Sequence, residues 1–181
     1  MKKSSTKNTK LLLHIAVCTT LIIICSWITI PTAIPFTMQL FGICFTLDFL
    51  GGRHGTVSIA LYILLGLIGI PVFAGFGGGI GVLIGPLGGF IIGFFALAAT
   101  VWLFELFPFK AKAKPLISML IGLLLCYALG VIWFMHINGM SKDSASLKVA
   151  ISSCVLPFII PDIAKILAAL ELSRRLKKDI I

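Results

Sequence analysis

Apolar residues run along this chain in long unbroken stretches, and polar residues collect in the breaks between them. Six stretches stand out, at about 10–30, 35–50, 56–70, 84–107, 116–135 and 161–178. Runs near this length match a bilayer hydrocarbon layer of roughly 30 Å at about 1.5 Å of rise per helical residue. The pattern predicts an all-α membrane protein with six transmembrane helices in a single polytopic domain over residues 1–181. The second and third stretches are short for that thickness, so local thinning or cover by neighbouring loops is expected there. The stretch from Ala145 to Leu172 is too long for one upright span and contains Pro157 and Pro161. Proline suits the start of a helix and disrupts its interior. A short or re-entrant segment at 144–156, a bend, and a final span starting at Pro161 are therefore expected. The first run is long enough to span and shows no small-residue cleavage site, so it reads as a retained helix rather than a leader.

Composition strengthens the membrane assignment. Of 181 residues, 59% are hydrophobic and 12% charged, against about 25% charged in soluble domains. Six spans leave little length for a soluble catalytic domain. The formal net charge of +9 would suit nucleic acid in another setting, but its placement excludes that partner. Lys2, Lys3, Lys7 and Lys10 precede the first run, and Arg53 lies in the second break. Lys110, Lys112 and Lys114 fill the fourth break, and Arg174, Arg175, Lys177 and Lys178 follow the last run. With six spans all of these fall on one side, whereas the opposite breaks hold Lys142 as their one lysine or arginine. Basic loops mark the cytoplasmic face, so both termini are expected there. Asp48 and Arg53 are expected to pair at that end, and Glu105 to sit near Lys110. Trp27, Trp102 and Trp133 fall near span ends, as interfacial anchors do. Cys18, Cys25, Cys44, Cys126 and Cys154 all lie in apolar runs and read as small core residues. Neither they nor His14, His54 and His136 show metal-ligand spacing. No metal or cofactor is expected.

Against this background Asp162 and Lys165 stand out. They lie three apart in the last apolar run, on one face of a helix. Ionisable groups at membrane depth are costly, face the protein interior and mark a ligand or ion path. With a helix starting at Pro161, Asp162 falls in its first turn, where the positive end of the helix dipole favours a carboxylate. Gln39, near the outer end of the second run, offers donors and an acceptor together, and Thr37 stands two residues before it. Asn138 beside Gly139 reads as a turn. Between the third and fourth runs, residues 71–90 are rich in glycine, with Phe73 and Phe76 among them. Glycine allows positive φ and close backbone approach, which suits an extracellular loop covering a bound molecule. No GxxxxGK[ST] phosphate loop occurs in the chain, so it lacks the means to hydrolyse ATP by that route.

Three blocks of this sequence resemble the BioY family, the biotin-binding membrane subunits (S components) of energy-coupling factor transporters. The first is Ile34-Pro35-Phe36-Thr37-Met38-Gln39. The second runs from Leu64 to Gly75 with Gly77-Gly78 and Gly85-Pro86-Leu87-Gly88-Gly89-Phe90. The third is Leu156-Pro157-Phe158 with Pro161-Asp162 and Lys165. The similarity covers most of residues 30–175. Leu87 and Phe90 stand where the family commonly has threonine and tyrosine, and Ile160 where it has glycine.

The resemblance implies capture of biotin from the outside and its uptake across a bacterial cytoplasmic membrane. It implies a multi-pass cell-membrane protein that is not an enzyme. Its implied partners are biotin, the lipid bilayer, a transmembrane coupling subunit and cytoplasmic ATPase subunits. On the first helix Ala16 and Thr20 stand at the four-residue spacing through which the family meets its coupling subunit. Asp162, Lys165, Gln39, Thr37, Phe73, Gly75, Gly77, Gly78 and Phe90 are the substrate-binding candidates. The residues by themselves leave two alternatives open, a transporter of another small vitamin and a membrane-embedded enzyme using Asp162. No nucleophile–base pair accompanies that carboxylate.

Overall fold

The computed structural model describes residues 2–31, 35–108, 111, 113–141 and 143–180, with side chains from residue 8 to residue 178. Ile34, Lys110, Lys112 and Lys142, which carry part of the motif and charge patterns, lie outside the described residues. Among the described residues eight α-helices carry the fold: α1 (Lys2–Trp27), α2 (Gln39–Leu50), α3 (Gly52–Leu67), α4 (Ile80–Ile84), α5 (Gly88–Leu106), α6 (Lys114–Ile137), α7 (Ser144–Cys154) and α8 (Leu156–Ile180). A two-stranded antiparallel ribbon, β1 (Thr29–Ile30) with β2 (Phe36–Thr37), joins α1 to α2 and pairs Thr29 with Thr37.

Among the described residues three helices are long and apolar enough to cross a membrane: α1 from Asn8, α5 and α6. α7 and α8, bent by 41° at their junction, add a fourth if the pair is counted as one broken span. α2 and α3, with 12 and 16 residues, rise about 18 and 24 Å at about 1.5 Å per residue. Both fall short of the roughly 30 Å apolar layer. A count of six spans therefore depends on these two short helices crossing as well.

The junction of α7 and α8 differs from the sequence expectation. α8 starts at Leu156, with Pro161 inside it, not at Pro161. Pro157 occupies the first turn, where a missing N–H loses nothing. The bond Pro161 cannot donate is the one to the Pro157 carbonyl, in that same turn, so the helix runs on at small cost. The bend falls instead at Val155, whose φ of −124° and ψ of −57° end α7. Asp162 consequently stands in the second turn of α8, one turn deeper than expected. At the other end of α7, the Asp143 side chain accepts the Ser146 N–H at 2.8 Å. Hydrogen bonds from Ser146 hold this exposed carboxyl below the usual range.

α5 and α6 form the tightest pair because glycine removes side chains from their interface. A Cβ on Gly122 would lie 2.9 Å from the Leu97 Cα, and one on Gly93 would lie 2.7 Å from the Cys126 Sγ. Without a hydrophobic drive between lipid-embedded helices, such close van der Waals contact is what holds them. The end carrying the basic residues is tied by polar contacts. Both Glu105 oxygens accept the Gly52 N–H at 2.8 Å, at the N-terminus of α3. There the helix dipole favours a carboxylate. The expected Asp48–Arg53 pair does not form. Lys177 Nζ donates instead to the Asp48 carbonyl at 2.5 Å and to its Oδ2 at 3.3 Å, while Arg53 is exposed. The backbone turns at Gly51, whose φ is +81°, which separates Arg53 from the α2–α8 seam that holds Asp48. Asn138 closes α6 as a turn residue, its Nδ2 donating to the Phe134 carbonyl at 2.8 Å.

Gly122→Val should lower the thermal unfolding midpoint in detergent, since overpacking costs about 1–3 kcal/mol. Gly81→Val, where a Cβ meets nothing within 4 Å, should leave the midpoint unchanged. Equal midpoints for the two variants would show that the α5–α6 contact is not a determinant of stability.

Candidate functional site

α2 and α8 run in the same direction side by side. One end is marked by Asp48 and Lys177, and the other opens into a cavity lined by Gln39 and Lys165. α5, α6 and α7 complete its walls, and residues 73–87 border it between α3 and α5. The cavity encloses about 750 Å³ counted together with its open mouth. Its walls are mostly apolar, with Leu40, Phe90, Ile91, Phe94 and Leu123 prominent.

The polar groups converge on Asp162. Lys165 Nζ donates to its Oδ1 at 2.8 Å, and Tyr127 Oη donates to its Oδ2 at 2.6 Å. Asp162 and Lys165 are each 7% exposed. A buried charge must be paired and hydrogen-bonded to be tolerated, and both conditions are met here. The ammonium also sits 3.9 Å from the centroid of the Phe36 ring, a cation–π contact. Phe36 in turn stacks on Phe158 at 6.0 Å. β2 therefore steadies Lys165, although it contributes just two residues of strand. Gln39 forms a second polar centre, its Nε2 donating to Tyr62 Oη at 2.8 Å. The Gln39 N–H is bonded to Thr37 Oγ1 at 3.3 Å.

Of the residues singled out from sequence, Asp162, Lys165, Gln39, Thr37, Phe73 and Phe90 line this cavity. Gly75, Gly77 and Gly78 do not, and their roles lie in the backbone. Gly75 adopts φ +65° inside a 3-10 turn over Ala74–Phe76, a conformation that favours glycine. The Gly77 carbonyl accepts the Phe73 N–H at 2.9 Å, and the Gly77 N–H returns to the Ala74 carbonyl at 3.3 Å. A Cβ on Gly78 would lie 2.6 Å from the Ile70 carbonyl oxygen. These glycines act on the cavity through Phe73 and Ala74, which they fold into its wall.

Phe73 is buried against Gly66 and meets the Tyr62 ring edge-on at 5.5 Å. Phe76 takes no part in the wall. It is exposed and stacks on Trp27 at 5.2 Å. Two of the three tryptophans read as interfacial anchors tie the glycine-rich stretch to the bundle. Trp27 Nε1 donates to the Pro71 carbonyl at 2.8 Å, and Trp133 Nε1 to the Gly85 carbonyl at 2.9 Å. Ser26 Oγ donates to the Val72 carbonyl beside them. Leu87 and Phe90 make their part of the wall apolar, without the hydroxyls of threonine or tyrosine.

Sequence reasoning missed Tyr127, Cys126, Cys154, Phe94, Leu123 and Phe158, all of which line the cavity. A signal for the first was present. The chain contains two tyrosines, both inside apolar runs, and a buried phenol needs a polar partner. Each finds a candidate residue, Tyr62 with Gln39 and Tyr127 with Asp162. Among the described residues, no three His, Cys, Asp or Glu side chains are grouped to hold a metal ion.

Comparison with known proteins places this architecture. The profile of the BioY family matches residues 1–180. A biotin transporter BioY from Thermotoga maritima is 37% identical over 171 residues, covering 92% of this chain and 95% of that protein. A probable biotin transporter BioY from Pyrococcus horikoshii is 39% identical over 144 residues, covering 80% of this chain and 81% of that one. The crystal structure of the S-component for biotin from an ECF-type ABC transporter matches with a TM-score of 0.82 at 28% identity. That match covers 96% of this chain and 93% of the other. The chain belongs to the BioY family.

Proposed function

We propose that this chain takes up biotin across the cell membrane as the substrate-binding subunit of an energy-coupling factor transporter. The carrying observation is the buried Tyr127–Asp162–Lys165 network on the wall of an otherwise apolar cavity. Because Asp162 and Lys165 are bonded to each other at 2.8 Å, they serve one and the same end of a ligand. The ureido ring of biotin suits them, since it presents N–H donors beside a carbonyl acceptor. A carboxylate has about four lone-pair sites and an ammonium three protons. Each therefore keeps capacity for the ligand after the internal bonds are made. Asp162 takes a ureido N–H, and Lys165 donates to the ureido oxygen. Gln39 supplies further polar contact, and the phenylalanines of α5 with Phe73 take the thioether ring and chain.

The charge distribution and family membership support the wider arrangement. Six spans, with α2 and α3 crossing as short helices, put the basic residues and both termini in the cytoplasm. The cavity mouth, with the glycine-rich stretch, then faces outside, where biotin is captured. Movement of biotin against a gradient needs energy that a binding chain without a nucleotide site does not supply. A transmembrane coupling subunit and cytoplasmic ATPases provide it. α1 presents Ala16 and Thr20 on an exposed face, where small residues allow close helix contact. The family is one of transporters, so Asp162 is read as a binding group and not as a catalytic acid.

Calorimetry on the detergent-purified chain should show saturable binding of biotin and none of thiamine. Absence of saturable biotin binding would sink the assignment. Asp162→Ala should weaken binding by about 2 kcal/mol or more, because truncation strands ligand donors in a dry site. Wild-type affinity in that variant would make the Asp162–Lys165 pair a structural element. Tyr127→Phe removes one donor to Asp162 and should cost about 1 kcal/mol of affinity. Unchanged affinity would show that the phenol does not orient the carboxylate.

A further inference from the structure

The cavity is charge-balanced before a ligand arrives. Among the described residues that line it, Asp162 is the one anion and Lys165 the one cation, and they neutralise each other at 2.8 Å. The ammonium is flanked on a second side by the Phe36 ring, and the second carboxylate oxygen is held by Tyr127. Among the described residues no other charged side chain lines the cavity, and Lys148, on α7, is exposed. The sequence has no Asp, Glu, Lys or Arg from Leu11 to Leu47 or from His54 to Phe104. These stretches include the start of α2, the glycine-rich segment and most of α5. A ligand carboxylate drawn fully into such a site would leave it with net negative charge, and an uncompensated buried ion is strongly disfavoured. The ureido head of biotin is neutral, and its carboxylate stands at the far end of a four-carbon chain. Charge balance therefore favours a buried head, a chain along the apolar walls and a carboxylate left in water at the mouth.

We infer that recognition stops short of the carboxylate, so that this site also takes biotin capped there as a neutral amide or ester. The inference rests on the reading of the cavity as a biotin site. Calorimetry on the full chain in detergent, with biotin, biotinamide and biotin methyl ester as probes, tests the two readings separately. Both capped compounds should bind within about tenfold of biotin. Saturable biotin binding with a loss above tenfold for both caps overturns this inference and leaves the biotin assignment standing. No saturable binding of biotin itself overturns both. Lys165→Gln supplies an independent arm. It should weaken biotin and biotinamide by the same factor, because the ammonium meets the ureido oxygen common to both. A loss confined to biotin assigns Lys165 to the carboxylate and overturns the inference.

Discussion

The ion pair between Asp162 and Lys165 sets the terms for the rest of this structure. Two charged groups buried inside the bundle, each 7% exposed, are tolerable because they neutralise one another and because other groups take up their remaining capacity. Tyr127 reaches from α6 to the second carboxylate oxygen, and Phe36 reaches from β2 to the ammonium. The pair thus draws α6, α8 and the β ribbon to one point. It also dictates what the cavity can hold. A site whose own charges cancel favours a neutral group with a donor and an acceptor side by side, and it disfavours a second ion.

Glycine does the complementary work in two different ways. In α5 and α6 it removes side chains so that the helices meet at backbone distance. Between α3 and α5 it allows a tight loop whose purpose is to place Phe73 in the cavity wall. That stretch is far from a slack connector. The Ser26 hydroxyl and the Trp27 indole hold the carbonyls at its start, and the Trp133 indole holds one near its end. Through the first two, α1 is bonded directly to the segment that borders the cavity. The helix with the exposed Ala16–Thr20 face therefore also braces the cavity.

Much of this is legible in the chain, and the parts that are not share a cause. Asp162 and Lys165 announce themselves because a charge inside an apolar run is too costly to stand there idle. The long helices follow from uninterrupted apolar length, and the glycine-rich block stands out by composition. Pairings across the bundle are another matter. Tyr127 is 35 residues from Asp162, and Lys177 is 129 from Asp48, so no local spacing connects them. Arg53 looks like the partner of Asp48 because it is near in sequence, yet the turn at Gly51 takes it away. Gly75, Gly77 and Gly78 group with the ligand contacts because composition does not distinguish a residue that lines a wall from one that shapes it. Pro161 reads as a helix start because its effect depends on where its missing partner lies, and here that partner is in the first turn.

The central claim is that the paired charges of α8 hold the ureido end of biotin. Determining the structure of the biotin-bound chain at a resolution that orients the ligand tests it most directly. The account predicts a ureido N–H within hydrogen-bond distance of Asp162 and the ureido oxygen within reach of Lys165 Nζ, with the carboxylate toward the mouth. A ligand bound the other way round, its carboxylate on Lys165 and its ureido ring among the glycines, would contradict it.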